Sequence, residues 1–121
     1  MPTIPAAQRR AAEIAAELSR LGFALPGTVA YRHVRCGKPG CRCAADPPVL
    51  HGPYPTWTRK ADGRTVTRRL TKDQYAAYRP WFEAGRRARA LLSELEALSI
   101  QIIEAELRPS AAARLRKTPA T

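Results

Sequence analysis

Three cysteines and one histidine lie within sixteen consecutive residues, in the segment Cys36-Gly-Lys-Pro-Gly-Cys41-Arg-Cys43 and then at His51. This cluster constrains the fold more than any other feature, because thiolate and imidazole groups at such density are typical zinc ligands. Structural zinc sites take four of these ligands in a tetrahedron. We therefore predict one structural Zn²⁺ ion, and its predicted ligands are Cys36, Cys41, Cys43 and His51.

The sequence also allows other interpretations of the cluster. The spacing C-x4-C followed by C-x-C differs from the usual C-x2-C, and His33 is a rival fourth ligand. Three reduced thiols around a rigid Gly/Pro turn would give the same pattern without a metal. A catalytic thiol needs an orienting base and a third group, and no such arrangement stands out in the sequence. We therefore predict a protein that is not an enzyme.

The chain carries a large positive charge. Its 121 residues include 21 Lys and Arg against 10 Asp and Glu, a formal charge of +11. Such an excess predicts a polyanionic partner, of which nucleic acid is the first candidate. A GC-rich genome would explain why 17 of the 21 cations are Arg, but it would not explain the shortage of acids. Much of the apolar fraction is alanine, so the core is expected to be thin and to benefit from a metal.

An amphipathic helix is predicted over residues 4–21. Thr3 can cap its start and Gly22 is a natural stop. Its apolar residues recur at spacings of four and three along one stripe, formed by Ala7, Ala11, Ile14, Leu18 and Leu21. After a linker, the β-branched and aromatic content of residues 29–35 predicts a short strand.

Asp62-Gly63 lies between two β-rich runs, residues 54–61 and 64–70, and is the clearest hairpin signal in the sequence. A two-residue turn pairs Ala61 with Arg64 and therefore Trp57 with Arg68. Trp57 then shares one face with Val66 and Leu70, which should pack on a helix. The opposite face is expected to be solvated, rich in hydroxyl groups and basic. With the strand at 29–35, the sheet would have three strands.

A long helix is predicted over residues 71–107. Thr71-x-x-Gln74 forms a capping box at its start, and Pro80 is expected to kink the helix or to break it in two. Beyond Pro80 a heptad-like stripe follows at Ala88, Leu91, Leu95, Leu98, Ile102 and Ala105. Residues 90–107 contain four Glu and no cation, and could pair with Arg9, Arg10 or Arg20 of the first helix.

These elements predict an α+β protein. It would consist of an N-terminal helix, a small three-stranded antiparallel sheet with a Cys-rich zinc loop, and a long C-terminal helix kinked near Pro80. We expect residues 1–108 to form a single domain, with residues 29–70 as its basic β module. Residues 109–121 are an Ala/Pro/Arg stretch that we expect to be a flexible basic tail.

The β module holds most of the positive charge. Residues 29–70 carry nine cations against two acids, and a β-ribbon of this kind fits the major groove of DNA. We predict a non-enzymatic DNA-binding protein, although RNA remains open and a plain solvated sheet face is the simpler alternative. The predicted contacts are Arg35, Lys38, Arg42, Thr56, Thr58, Arg59, Lys60, Arg64, Thr65, Thr67, Arg68 and Arg69.

A second hypothesis concerns a protein partner. The stripe from Leu91 to Ala105 could pair with a second copy or with a helical partner, which would make the protein a coiled-coil adaptor. No run of residues has the length of a membrane span and the first residues lack the pattern of a signal peptide. We therefore expect a cytoplasmic protein that does not enter membranes.

The motif Cys36-Gly-Lys-Pro-Gly-Cys-Arg-Cys43, then His51-Gly-Pro-Tyr54, Trp57-Thr-Arg-Lys60 and Thr65-Val-Thr-Arg68, resembles a widespread prokaryotic family. Its members are short basic proteins described only as a domain of unknown function, often near mobile-element genes. The resemblance covers most of the chain and implies a DNA-associated role near transposition or recombination, such as an accessory factor of a mobile element. Pro80 departs from the family, whose members tend to have an unbroken helix there.

Overall fold

The structure is a computed structural model that describes residues 3–108; the predicted tail, residues 109–121, lies outside the described residues. The predicted α+β fold is confirmed. Its elements are helix α1 (Ile4–Arg20), strand β1 (Thr28–Val34), a short 3-10 helix (Arg42–Ala44), strands β2 (His51–Ala61) and β3 (Arg64–Arg69), and helix α2 (Lys72–Leu107). Among these residues, no helix combines the length and the apolar character required to cross a membrane.

The chain divides into two compact units. Within the described residues, one is formed by residues 3–21 together with residues 88–108, and the other is Gly22–Arg87. Helix α2 contributes residues to both units. The sheet and the whole cysteine cluster belong to the second unit.

The first unit is a pair of helical segments held by a small apolar core. Thr3 caps α1 as predicted, since its hydroxyl oxygen accepts a hydrogen bond from the backbone N–H of Ala6. Ala7 and Ile14 are buried and the other residues of the predicted stripe of α1 are half-buried, so the stripe is confirmed; Leu91 of α2 is completely buried as well. The guanidinium of Arg10 donates to both carboxylate oxygens of Glu94, with a distance of 2.7 Å from Nη2 to Oε1. The acidic end of α2 therefore pairs with α1.

The second unit is built on a three-stranded antiparallel sheet in the order β1-β2-β3. The predicted hairpin register is confirmed, with Ala61 opposite Arg64 and Trp57 opposite Arg68. Asp62 and Gly63 have φ values of 52° and 77°, as a type I′ turn requires. Because side chains alternate along each strand, this register decides which residues share a face.

Helix α2 covers one face of this sheet. The ring of Trp57 meets the ring of Phe82 edge-on at 5.4 Å between centroids, and Tyr31 meets Tyr75 at 6.0 Å. The indole N–H of Trp57 donates to the backbone oxygen of Pro26 at 2.8 Å. Trp57 is thus a packing residue, and its face of the sheet is the helix-covered face.

Helix α2 begins with the predicted capping box, in which Thr71 and Gln74 exchange hydrogen bonds of 2.9 and 3.0 Å. It then continues through Pro80 without a break, so the alternative of two separate helices is wrong. Further along, the linker approaches α2 closely at Gly85. A Cβ atom at that position would lie 2.0 Å from the backbone oxygen of Leu25, a separation that only glycine permits.

Candidate metal centre and basic surfaces

The four predicted metal ligands converge at one place. They come from the segment after β1, from the short 3-10 helix and from the first residue of β2. Their ligand atoms all lie within 4.8 Å of one another. The sulfur of Cys36 is 3.5 Å from that of Cys43, and the sulfur of Cys41 is 3.2 Å from Nε2 of His51.

This arrangement fits a tetrahedral metal ion. Zinc bonds of about 2.3 Å to sulfur and 2.0–2.1 Å to nitrogen place neighbouring ligand atoms roughly 3.5–3.8 Å apart. The two separations given above, 3.5 and 3.2 Å, are about 0.3 Å shorter than the corresponding zinc values, and the other separations do not exceed 4.8 Å. Cys43 is buried with 1% relative exposure, whereas Cys36 is exposed, so the cluster forms at the surface with one side closed. The residues that would hold the ion are Cys36, Cys41, Cys43 and His51.

The rival ligand His33 is excluded from this cluster. It lies on β1 as an exposed residue, while His51 is half-buried and directs Nε2 at Cys41. The difference arises where β1 and β2 meet, because the register between them shifts between Arg32 and Val34 and pairs Val34 with His51. That pairing brings His51 beside the segment that carries Cys36.

Backbone N–H groups are directed at the sulfur atoms. The N–H of Cys36 donates to Cys43 Sγ at 3.4 Å and that of Lys38 donates to Cys36 Sγ at 3.5 Å. A hydrogen bond to sulfur favours the thiolate over the thiol, which is the form that binds metal. These donors would offset part of the negative charge that three thiolates bring together.

The thiols differ in acidity. A backbone N–H, followed by His51 and Cys36, lowers the pKa of Cys41, and the N–H of Cys36 lowers the pKa of Cys43 against the effect of its burial. For Cys36 the N–H of Lys38 acts in the same direction, but the neighbouring sulfurs and burial outweigh it and raise its pKa. Two of the three thiols are therefore biased towards the metal-binding form.

The predicted nucleic-acid contacts do not all share one surface. Arg59, Arg64 and Arg68 lie on the helix-covered face, where the guanidinium of Arg59 sits 5.4 Å from the ring centre of Trp57. The other sheet residues lie on the opposite face, as the alternation along β2 and β3 requires. We call this opposite side the threonine face; it consists of Thr28, Ala30 and Arg32 of β1, Tyr54, Thr56, Thr58 and Lys60 of β2, and Thr65, Thr67 and Arg69 of β3.

The prediction that this face is solvated is wrong for Thr56, which is buried with 8% relative exposure. Thr56 occupies the central strand between Ala30 and Arg69, and its hydroxyl donates to the backbone oxygen of Tyr54 at 3.2 Å. It therefore supports the sheet. On the same face, Lys60 and Arg69 remain exposed, and so do Thr65 and Thr67.

The cations of the cysteine loop are exposed, and one of them lines a groove. Arg35 and Lys38 face solvent. Arg42 lines a groove of about 690 Å³, which we call the basic groove. Its other basic residues are Arg69 at the end of β3 and Lys72 at the start of α2, and its wall includes Leu50, Tyr54 and the metal-site residue His51.

The sequence analysis did not predict that Lys72 lines the basic groove or that Arg32 lies on the threonine face. Lys72 directly follows the capping residue Thr71, so its place at the first helical position could have been predicted from the capping box. The position of Arg32 on the threonine face depends on how β1 pairs with β2. No turn signal links those strands, and their register could not be deduced locally.

No curated protein and no solved structure matches the chain. A family model described as "Domain of unknown function (DUF6788)" matches residues 4–84. The matched region spans α1, the sheet, the four clustered ligands and the first third of α2, and it includes the motif on which the sequence resemblance rests. The chain therefore belongs to the DUF6788 family of domains of unknown function.

Proposed function

We propose that this protein binds DNA without catalysing a reaction, and that a zinc ion held by the four clustered ligands stabilises the binding module. The observation that carries the proposal is the threonine face. It combines exposed hydroxyl groups with three exposed cations, Arg32, Lys60 and Arg69, and holds no acidic residue. Hydroxyl and guanidinium groups on a β surface can contact phosphates and base edges.

The metal supports this role by shaping the chain. The cluster links the end of β1 to the first residue of β2, and so fixes the loop that carries Arg35, Lys38 and Arg42. Among residues 3–108, the four cluster residues are the one group of at least three His, Cys, Asp or Glu side chains placed to hold a metal. A tetrahedral ion bound by all four side chains would keep no open coordination position, which is the arrangement of structural zinc. A link to mobile elements rests on the sequence resemblance alone.

The test is binding to a labelled DNA duplex as salt is raised. Three phosphate contacts predict a loss of affinity of roughly 40-fold between 50 and 200 mM salt. A matched pair of variants at the hairpin end then locates the surface. The variants are Lys60→Glu and Arg64→Glu. Lys60 lies on the threonine face and Arg64 on the helix-covered face, and both residues are exposed.

We expect Lys60→Glu to weaken binding by about tenfold and Arg64→Glu to weaken it much less, because only the first puts a like charge against phosphate. Equal losses in the two variants would assign the binding to overall charge. No binding by the wild-type protein to duplex or single-stranded DNA at 50 mM salt would refute the proposed function.

A further inference from the structure

The basic groove lies where three separate parts of the chain meet. Arg42 comes from the 3-10 helix of the cysteine loop, Arg69 from the last residue of β3, and Lys72 from the first residue of α2. Its volume of about 690 Å³ lies within the range of small-molecule sites. Among residues 3–108, none of those that line the groove carries a carboxylate.

The positive charges of this groove are not neutralised by the protein. Within residues 3–108, none of Arg42, Arg69 and Lys72 forms an ion pair. Like charges gathered around one cavity repel each other unless an anion joins them. The groove therefore favours a negatively charged ligand.

Arg69 is held in position for such a ligand. Its guanidinium lies 4.4 Å from the ring centre of Tyr54, a cation–π contact that restrains the side chain. A guanidinium restrained on an aromatic ring keeps its N–H edge available, and that edge matches two oxygens of a phosphate. Arg69 also belongs to the threonine face, so the groove is continuous with that surface.

We propose that the basic groove binds a phosphate group of the nucleic-acid strand that the threonine face contacts. Arg69 would form the bidentate contact, while Arg42 and Lys72 would help to neutralise the negative charge of the phosphate. The apolar wall at Leu50, which is 37% exposed, would lie against the sugar. The proposal rests on the proposed function, and it assigns the main phosphate contact to a groove in which Lys72 joins the predicted contacts Arg42 and Arg69.

The experiment measures DNA binding and locates it. Lys72→Glu and Arg42→Gln are compared with Arg86→Glu and Arg86→Gln, which make the same charge changes at an exposed residue of the same unit outside the groove. Lys72→Glu should leave the fold intact, because an acidic residue is favourable in the first turn of a helix. Circular dichroism and zinc content confirm folding of each variant.

We expect each groove variant to weaken binding to a twelve-nucleotide DNA strand by about tenfold and each control by less than about twofold. In ¹⁵N NMR titrations, the Nε–H signals of Arg42 and Arg69 should shift with this strand and, at much higher concentration, with inorganic phosphate.

Other results overturn the inference in distinguishable ways. If the groove variants weaken DNA binding no more than the controls do, the proposed phosphate site is wrong, but the proposed function is not contradicted. Shifts with inorganic phosphate in a protein that binds no DNA would refute both the nucleic-acid assignment and the proposed function. Absence of any shift with either probe would refute the site itself.

Discussion

The sulfur of Cys41 lies 3.2 Å from Nε2 of His51, across ten positions of the sequence. This contact joins the cysteine loop to the first residue of β2 and places an imidazole nitrogen where a fourth metal ligand is required. The other two sulfurs lie within 4.8 Å of this pair. Metal content is therefore the first quantity that the structure predicts.

We expect one zinc ion per chain in protein purified without a histidine tag, and loss of that ion in Cys41→Ser. Because metal binding to such a site is coupled to folding, the variant should also lose at least about 2 kcal/mol in the free energy of unfolding. Atomic emission and urea unfolding measure the two quantities. Lys38→Ala in the same loop is the control and should keep both the metal and the stability.

The two histidines should behave differently. His51→Ala removes a ligand and is expected to weaken zinc affinity by at least about 100-fold, whereas His33→Ala changes an exposed residue of β1 and should have no effect. A competition titration with a chromophoric chelator measures both affinities. Equal affinities in the two variants would contradict the ligand set.

Zinc binding should release protons, and its affinity should therefore rise with pH. Cysteine binds metal as a thiolate, and Cys36 has a raised pKa, so at neutral pH it must give up a proton when zinc binds. The lowered pKa values of Cys41 and Cys43 mean that their thiolate forms persist further as the pH falls. Calorimetric titrations in two buffers of different ionisation enthalpy count the protons; a count of zero would disagree with this assignment.

Gly85→Ala should destabilise the protein strongly although it lies in a helix. Alanine normally improves a helix by about 1 kcal/mol over glycine, but here its Cβ would lie 2.0 Å from the backbone oxygen of Leu25. Displacing that backbone is expected to cost roughly 2–3 kcal/mol net. Thermal unfolding measures the change, with Glu83→Ala at an exposed neighbouring position as the control. A stabilised Gly85→Ala variant would contradict the close approach.

The local features of this chain could be predicted because each depends on neighbouring residues. The Asp62-Gly63 turn sets the hairpin register by its length, and the Thr71 capping box marks where α2 begins. The ligand set follows from residue types that seldom cluster without a metal. In each case the deciding interaction spans sixteen residues or fewer.

The features that escaped prediction depend on distant contacts. Thr56 is buried because β1 supplies a neighbour on its open side, and the register of β1 has no local signal. The basic groove joins residues 42 and 72, and the approach of Leu25 to Gly85 spans sixty positions. At Pro80 a local signal predicted a change that did not occur, since the loss of one backbone hydrogen bond did not interrupt α2.

The closeness of the four ligands along the chain bears on the order of folding. Closing a loop of sixteen residues costs less entropy than closing a longer one, whereas packing Leu25 against Gly85 encloses about sixty residues. We therefore expect the cysteine loop to capture its ion while most of the sheet is still unformed. Zinc would then start the folding of the sheet as well as stabilise the folded protein, and its supply during synthesis would limit the yield of native protein.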